Sequence, residues 1–199
     1  MNTWDIDLLL RINRDWAHPA LDWLMPAVSA INAWVPLLIP LVLYLLWRGR
    51  KETRIMLLCI GLAVGIGDGV VSNTLKKTIG RVRPRDAITG VIVRDLGPGS
   101  PAIVRLFKAP VQSPSQPRGE TRGKSFPSSH TVNMFAVAIC VALFHRGWGG
   151  VAFCLATFIA YSRIYVGAHW PGDIPPSIGL GLLVGYAVVT VVRRVASRR

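Results

Sequence analysis

The chain has 199 residues, enough for one domain or one membrane bundle. With 51% hydrophobic residues, only 17% charged and a mean hydropathy of +0.42, much of it must face something other than water, which argues against an ordinary soluble globule and for an integral membrane protein. The net charge of +13 suits nucleic acid, anionic lipid or a phosphorylated substrate; no basic run with interleaved aromatics lies on a soluble stretch, which argues against nucleic acid as a partner.

The N-terminal MNTWDIDLLLRINRDW has acids early and no long apolar core with a small-residue cleavage site, unlike a cleavable signal peptide. Leu8, Leu9 and Ile12, flanked by Trp4 and Trp16, alternate with Asp5, Asp7, Arg11, Arg14 and Asp15 at roughly helical spacing, which predicts a short amphipathic helix lying in the membrane interface. His18-Pro19 breaks it, and Leu21–Met25 either continues the interfacial segment, residues 1–26, or opens the first span. Spans are predicted at about Ala27–Trp47, Ile55–Leu75, Thr131–Phe144, Val151–Tyr161 extending to Val166, and Ile174–Val192. The third is short against the ~20 residues a crossing needs. The fold expected is all-α: one domain, an integral membrane helical bundle of about five transmembrane helices plus the N-terminal interfacial helix. Cys59, Cys140 and Cys154 fall in apolar stretches without metal-type spacing and read as buried, unpaired thiols. Asp68, among Gly65, Gly67 and Gly69, reads as a hydrogen-bonding group where helices pack closely, and Asn73 as a bond across helices. The tryptophans near span ends read as belt anchors, with Trp170 as a wall beside the lipid's entry. His18 and His145 carry no chemistry on this reading.

Orientation follows from the short loops. Arg48, Arg50, Lys51 and Arg54 lie between the first two spans, Arg146 between the third and fourth, and Arg193, Arg194, Arg198 and Arg199 after the fifth; alternation puts all of them on one side, which the positive-inside rule makes cytoplasmic. That implies a multi-pass protein of the plasma (inner) membrane with a cytoplasmic C-terminus. The connection 85–125, rich in Pro and Gly, falls on the opposite side and is too long for a passive link. Ile103, Val104, Leu106 and Phe107 suit the headgroup layer and Arg118, Arg122 and Lys124 an anion; a mobile, solvated loop is the plainer alternative.

Three polar stretches meet at that same non-cytoplasmic side. The second span runs into Lys76-Lys77-Thr78-Ile79-Gly80-Arg81-Val82-Arg83-Pro84, the third begins with Ser125-Phe126-Pro127-Ser128-Ser129-His130, and the fourth runs into Ser162–Asp173, SRIYVGAHWPGD. Guanidinium and ammonium groups neutralise phosphoryl oxygens, and a helix opening at Pro-Ser-Ser-His adds free N–H groups and the positive end of its dipole. Of two histidines, one can attack phosphorus and the other protonate the departing oxygen. Pro171-Gly172 predicts a turn between His169 and Asp173, with Asp173 as N-cap of the last helix and Pro175 and Pro176 in its first turn. Lys77 and Arg81 read as solvated outward or touching headgroups.

Lys76-x6-Arg83-Pro84, Pro127-Ser128-Ser129-His130 and Ser162-Arg163-x5-His169-x3-Asp173 together resemble the three signatures of the type 2 phosphatidic acid phosphatase superfamily, which also includes vanadium haloperoxidases and glucose-6-phosphatases. The resemblance implies a phosphohistidine at His169, Asp173 holding its imidazole, His130 as general acid, and a cradle of Lys76, Arg83, Arg163, Ser128 and the Ser129 N–H, with neither metal nor cofactor. The family usually has Gly where this chain has Ser129, a steric cost if the backbone there needs positive φ. The activity implied is a membrane lipid phosphatase acting on undecaprenyl diphosphate by preference, or on phosphatidylglycerol phosphate, phosphatidic acid or the 1-phosphate of lipid A, with the bilayer and its lipids as partners. A vanadate-dependent peroxidase conflicts with five spans, and a non-catalytic lipid binder or mover with the intact histidine pair.

Overall fold

The structure is a computed structural model that describes residues 3–197, so Arg198 and Arg199 of the predicted basic C-terminus lie outside the described residues. Five long helices stand where the spans were predicted: α3 (Ile31–Arg48), α4 (Lys51–Ile66), α7 (Ser129–Phe144), α8 (Arg146–Tyr165) and α9 (Ile174–Ala196). α4 continues through a π-helical turn, Gly67–Ser72, into α5 (Asn73–Ile79), which Gly80 ends in the left-handed conformation that glycine adopts without strain. By length and apolarity Ile31–Arg48, the run Lys51–Ala87 and Pro171–Ala196 can each cross a membrane. α7 is apolar but has 16 residues, about 24 Å at 1.5 Å per residue, and α8 carries Arg146 and Arg163 near its ends.

α7 is the hub, packed by α8, α9 and α4. The α7–α9 contact depends on the absence of side chains: a Cβ at Gly181 would stand 2.4 Å from the Val132 carbonyl oxygen, and one at Gly185 2.4 Å from Ile139 Cγ2. Small residues let backbones approach where lipid supplies no hydrophobic drive for helices to associate. α3 lies at the rim of this core, with Ala33 its one buried residue and a run of exposed leucines facing outward.

The N-terminal segment is more deeply integrated than an interfacial helix. α1 (Thr3–Leu10) ends in a π-helical turn, Arg11–Asp15, and Leu9 and Ile12 are buried in the core cluster with Tyr165, Val166 and Trp170. Asp5, placed by its spacing on a polar face, is 2% exposed. The apolar piece after His18 is neither the start of the span nor part of α1 but a separate helix, α2 (Pro19–Ser29), whose N-cap is the His18 ring accepting from Ala20 N–H.

The 85–125 connection is structured, and it adds one short hairpin to a fold that is otherwise helical, as expected. Pro84 opens the short α6 (Pro84–Ala87), β1 (Ile92–Asp95) pairs antiparallel with β2 (Val111–Pro114), and a 3₁₀ turn spans Ala102–Phe107 between them. Leu106 and Ile103 pack with Ala27, Ala33 and Leu96 rather than on headgroups, while Phe107 is 82% exposed. Asn13 clamps the hairpin to the bundle, its amide donating to the carbonyls of Ile92 and Tyr165 and accepting from Ile92 N–H. Buried Arg94 pairs with Asp22 at 2.7 Å and lies over the Tyr165 ring.

Other local expectations also shift. Asp68 is exposed rather than packed, and of its neighbouring glycines only Gly67 meets another helix, at Val132 and Asn133. Asn73 bonds Gly69 O in its own helical run, and Cys154 is exposed, unlike buried Cys59 and Cys140.

Candidate active site

The end of α8 decides where His169 goes. Gly167 takes φ +73°, so the chain reverses and both Ala168 N–H and His169 N–H donate to the Arg163 carbonyl. A Cβ at Gly167 would also stand 2.6 Å from Val91 Cγ1. Arg163 on the last turn and His169 beyond it therefore share one side. Pro171–Asp173 then forms a 3₁₀ turn into α9, whose first turn holds Pro175 and Pro176 as expected. The Asp173 side chain does not cap α9: it turns back to accept from Trp170 N–H at 3.0 Å, and its backbone carbonyl accepts from Ser177 Oγ at 2.6 Å.

Hydrogen bonds join the polar stretches. Gly123 N–H and Ser125 N–H donate to the carbonyls of Gly80 and Arg81, tying the segment before α7 to the one after α5. Trp170 Nε1 donates to Val82 O at 2.7 Å, and Ser128 N–H donates to Ser177 Oγ at 3.0 Å.

Asp173 is fully buried and saturated. One oxygen accepts from Arg81 at 2.5 Å; the other accepts from Ser125 Oγ at 2.5 Å and stands 3.7 Å from His169 Nδ1, beyond hydrogen-bond length but in register for it. Burial pushes the His169 imidazole down to about 4, opposed by Asp173 and reinforced by the Arg163 charge. The ring is thus neutral at physiological pH, with Nδ1 turned to the carboxylate.

His130 opens α7 under the combined charge of Arg163, His169, Lys76 and Arg83, so these five predicted residues share one neighbourhood. Arg83 is extended immediately before Pro84, and its Nε and that of Arg163 are buried without partners. Leaving such donors unpaired is costly, and an anion would satisfy both. Lys76 Nζ donates to Ser129 Oγ. Ser129 is helical, with no positive φ at any non-glycine among the described residues, so the feared strain does not arise. Ser128 is drawn into packing, its hydroxyl accepting from Thr131 and its N–H engaged with Ser177, and does not stand free in the cradle. Among the described residues no three His, Cys, Asp or Glu side chains come together as a metal site requires.

Two residues read as peripheral are not. Arg81, assigned to solvent or headgroups, bridges Asp173 and Asp5 and stacks on Trp170 at 5.4 Å. Trp170 is fully buried and so cannot wall a lipid entrance. Asp5 also accepts from Gly172 N–H at 2.8 Å, linking α1 to the turn that carries the aspartate. The one sequence signal for Arg81 was its place inside the Lys76–Arg83 stretch.

A family model described as the PAP2 superfamily matches residues 52–197. Lipid A 4′-phosphatase of Bacteroides thetaiotaomicron is 27% identical over 199 residues, covering 98% of this chain and 80% of that protein. Undecaprenyl-diphosphatase BcrC of Bacillus subtilis is 39% identical over 64 residues, 31% of this chain and 32% of that one. The crystal structure of Aquifex aeolicus LpxE shares the fold, with a TM-score of 0.66 at 23% identity over 95% of this chain and 96% of that one.

Proposed function

The chain belongs to the PAP2 superfamily and is a membrane lipid phosphatase of that type, and from that premise we propose that it cleaves a terminal phosphate from its lipid through a phosphohistidine at His169. The observation that carries this is a buried imidazole, 3.7 Å from the Asp173 carboxylate, under the Arg83 and Arg163 charges that also act on a second imidazole, His130, beside which Lys76 adds its own.

With Nδ1 facing Asp173, Nε2 of His169 attacks phosphorus while the guanidinium groups of Arg83 and Arg163 and the Lys76 ammonium take up charge on the non-bridging oxygens. The P–O bond to the leaving group breaks as the P–N bond forms, and His130, carrying a proton once the bound phosphate offsets the cations around it, donates that proton to the departing oxygen. Asp173 stabilises the positive ring formed by attack. Water, giving its proton to His130, then attacks the phosphohistidine and releases inorganic phosphate and His169.

For the substrate, the relative matched along the whole chain favours a phosphate on the sugar of a lipid A-type glycolipid. The second reading, undecaprenyl diphosphate, is favoured by the shorter but more similar stretch shared with an undecaprenyl-diphosphatase. The test is inorganic phosphate release by purified protein in detergent from lipid A, undecaprenyl diphosphate, phosphatidylglycerol phosphate and phosphatidic acid side by side. His169→Ala should abolish release while the protein stays monodisperse, and brief exposure to substrate should leave phosphate on residue 169 in wild type, read by mass spectrometry at alkaline pH. Full turnover by His169→Ala would sink the nucleophile assignment.

A further inference from the structure

Beside the cradle lies a cavity of about 170 Å³ that the reaction as described does not use. Its volume is several times the ~30 Å³ share of one water in the liquid. Arg85, Arg94, Arg105 and Arg163 line it, against the single carboxylate of Asp95, whose Oδ1 already accepts from Gly97 N–H at 2.5 Å. Arg94 is answered by Asp22 at 2.7 Å. Among the described residues Arg85 pairs only with Asp86, at 4.0 Å. Arg105 and Arg163 each keep a buried Nε without a partner.

The cavity is built rather than incidental. Leu106, beside Arg105, is anchored among Ala27, Ala33 and Leu96, and a Cβ at Gly99 would stand 2.8 Å from Arg105 Cγ, so the arginine stem is held on both sides. Ser29, at the end of α2, bonds the Arg163 guanidinium from the same wall. Arg163 also belongs to the phosphoryl cradle, its charge acting on both histidines. Cavity and cradle therefore adjoin through one residue.

We infer that Arg85 and Arg105 form a second anion subsite, which holds a further negatively charged group of the same substrate while its scissile phosphate lies between His130 and His169. This rests on the phosphatase reading and narrows it: the preferred lipids carry two anionic groups, as a lipid diphosphate or a bisphosphorylated glycolipid does, and a lipid with one phosphate on a neutral body is a poorer substrate. Guanidinium pairing with phosphate is charge-assisted and forked, so losing one arginine costs about tenfold or more in affinity.

The test uses full-length protein in neutral detergent, with Arg105→Gln and Arg85→Gln as independent variants. Substrates are paired by tail: farnesyl diphosphate with farnesyl monophosphate, and bisphosphorylated lipid A with its 4′-monophosphate, each with and without phosphatidylglycerol in the micelle. The expected result is a loss of about tenfold or more in kcat/KM for the doubly anionic member of either pair, with the monophosphate member within twofold of wild type. Loss with the farnesyl pair alone assigns the subsite to an adjacent phosphate, and loss with the lipid A pair alone to a remote one; both support the inference. Equal losses on both members overturn it, as does a loss seen only with phosphatidylglycerol present, which would make the cavity a site for bilayer headgroups. Calorimetric binding of methylenediphosphonate against methylphosphonate reads an adjacent subsite without turnover: there wild type should prefer the diphosphonate about tenfold and Arg105→Gln should not. If no lipid releases phosphate yet that preference holds, the phosphatase reading has failed and the subsite stands; if phosphate is released normally and both variants match wild type on every member of both pairs, the phosphatase reading stands and the subsite fails.

Discussion

At the scale of single residues, the proposed mechanism makes the His169 imidazole, pushed down to about 4 by burial, the group that sets the acid limit of the reaction. Its ordinary value is about 6.5. In the unfolded chain the ring takes up a proton as pH falls through 6.5, whereas in the folded protein it stays neutral until about 4. The stability linked to this ring is thus fully present above 6.5 and lost as pH falls from there toward 4, whereas the neutral nucleophile in the folded enzyme is lost only as pH falls through about 4. The acid limb of kcat/KM, corrected for the substrate's second phosphate ionisation near 6, is expected near 4; a limb at 6.5 would show that the ring is not desolvated in the working enzyme. Arg81 makes the companion prediction. It is the shared cation of two buried carboxylates, and Lys cannot reproduce a planar bridge that also stacks on indole. Arg81→Met should destabilise the protein by about 3 kcal/mol and lower kcat more than it raises KM, because Asp173 loses its orientation while the phosphate cradle stays intact. Adding Asp5→Asn should recover part of that loss by removing one uncompensated charge, and a double mutant no better than the single would refute the bridge. The sequence displays the proposed set, His130, His169, Asp173 and the cations Lys76, Arg83 and Arg163, because motifs of fixed local spacing carry it. It hid the role of Arg81 because its partner Asp5 lies 76 residues away and owes its burial to tertiary packing.

At the scale of elements, the site needs α9 close against α7, since Ser177 on α9 holds the Ser128 N–H at the cap of the helix whose second residue is His130. Gly181 and Gly185 permit that approach, and Gly179, two residues earlier, faces open space. Gly185→Leu should therefore lower the detergent-solubilised melting temperature and the activity together, at an overpacking cost of about 1–3 kcal/mol, while Gly179→Leu changes neither; equal effects would remove helix proximity from the argument. Helix positions were legible because apolar runs of the right length are a local signal. The hairpin at 92–114 was not: its strands are four residues each, separated by a connection broken by Pro and Gly, and their pairing is fixed by Asn13 and Arg94 reaching from and toward distant elements. Separation of α1 from α2 was half visible, in His18-Pro19, but the burial of Leu9 and Ile12 against the end of α8 was not, since an amphipathic stripe looks the same facing lipid or protein.

At the scale of the whole molecule, two ends with different chemistry emerge. At one, the polar stretches close over the histidines. At the other, Arg193 donates to the Leu143 carbonyl at 2.7 Å and lies over Phe144, and His145 shares a hydrogen bond with Thr53 at 3.2 Å, so the start of α4, the α7–α8 corner and the end of α9 gather with their basic residues. Between the ends, exposed Leu37, Leu41, Leu58, Leu62, Leu155 and Leu183 form the apolar surface that lipid covers. Because cations in short loops mark the cytoplasmic side, the end holding Arg48, Arg54, Arg146 and Arg193 should face the cytoplasm and the histidines the opposite compartment. A fluorescent protein fused after residue 199 should glow in cells, and an alkaline phosphatase fused there should be inactive. An active phosphatase fusion would invert the bundle and put the cradle at the cytoplasmic surface, where the same chemistry would meet the inner leaflet's lipids instead.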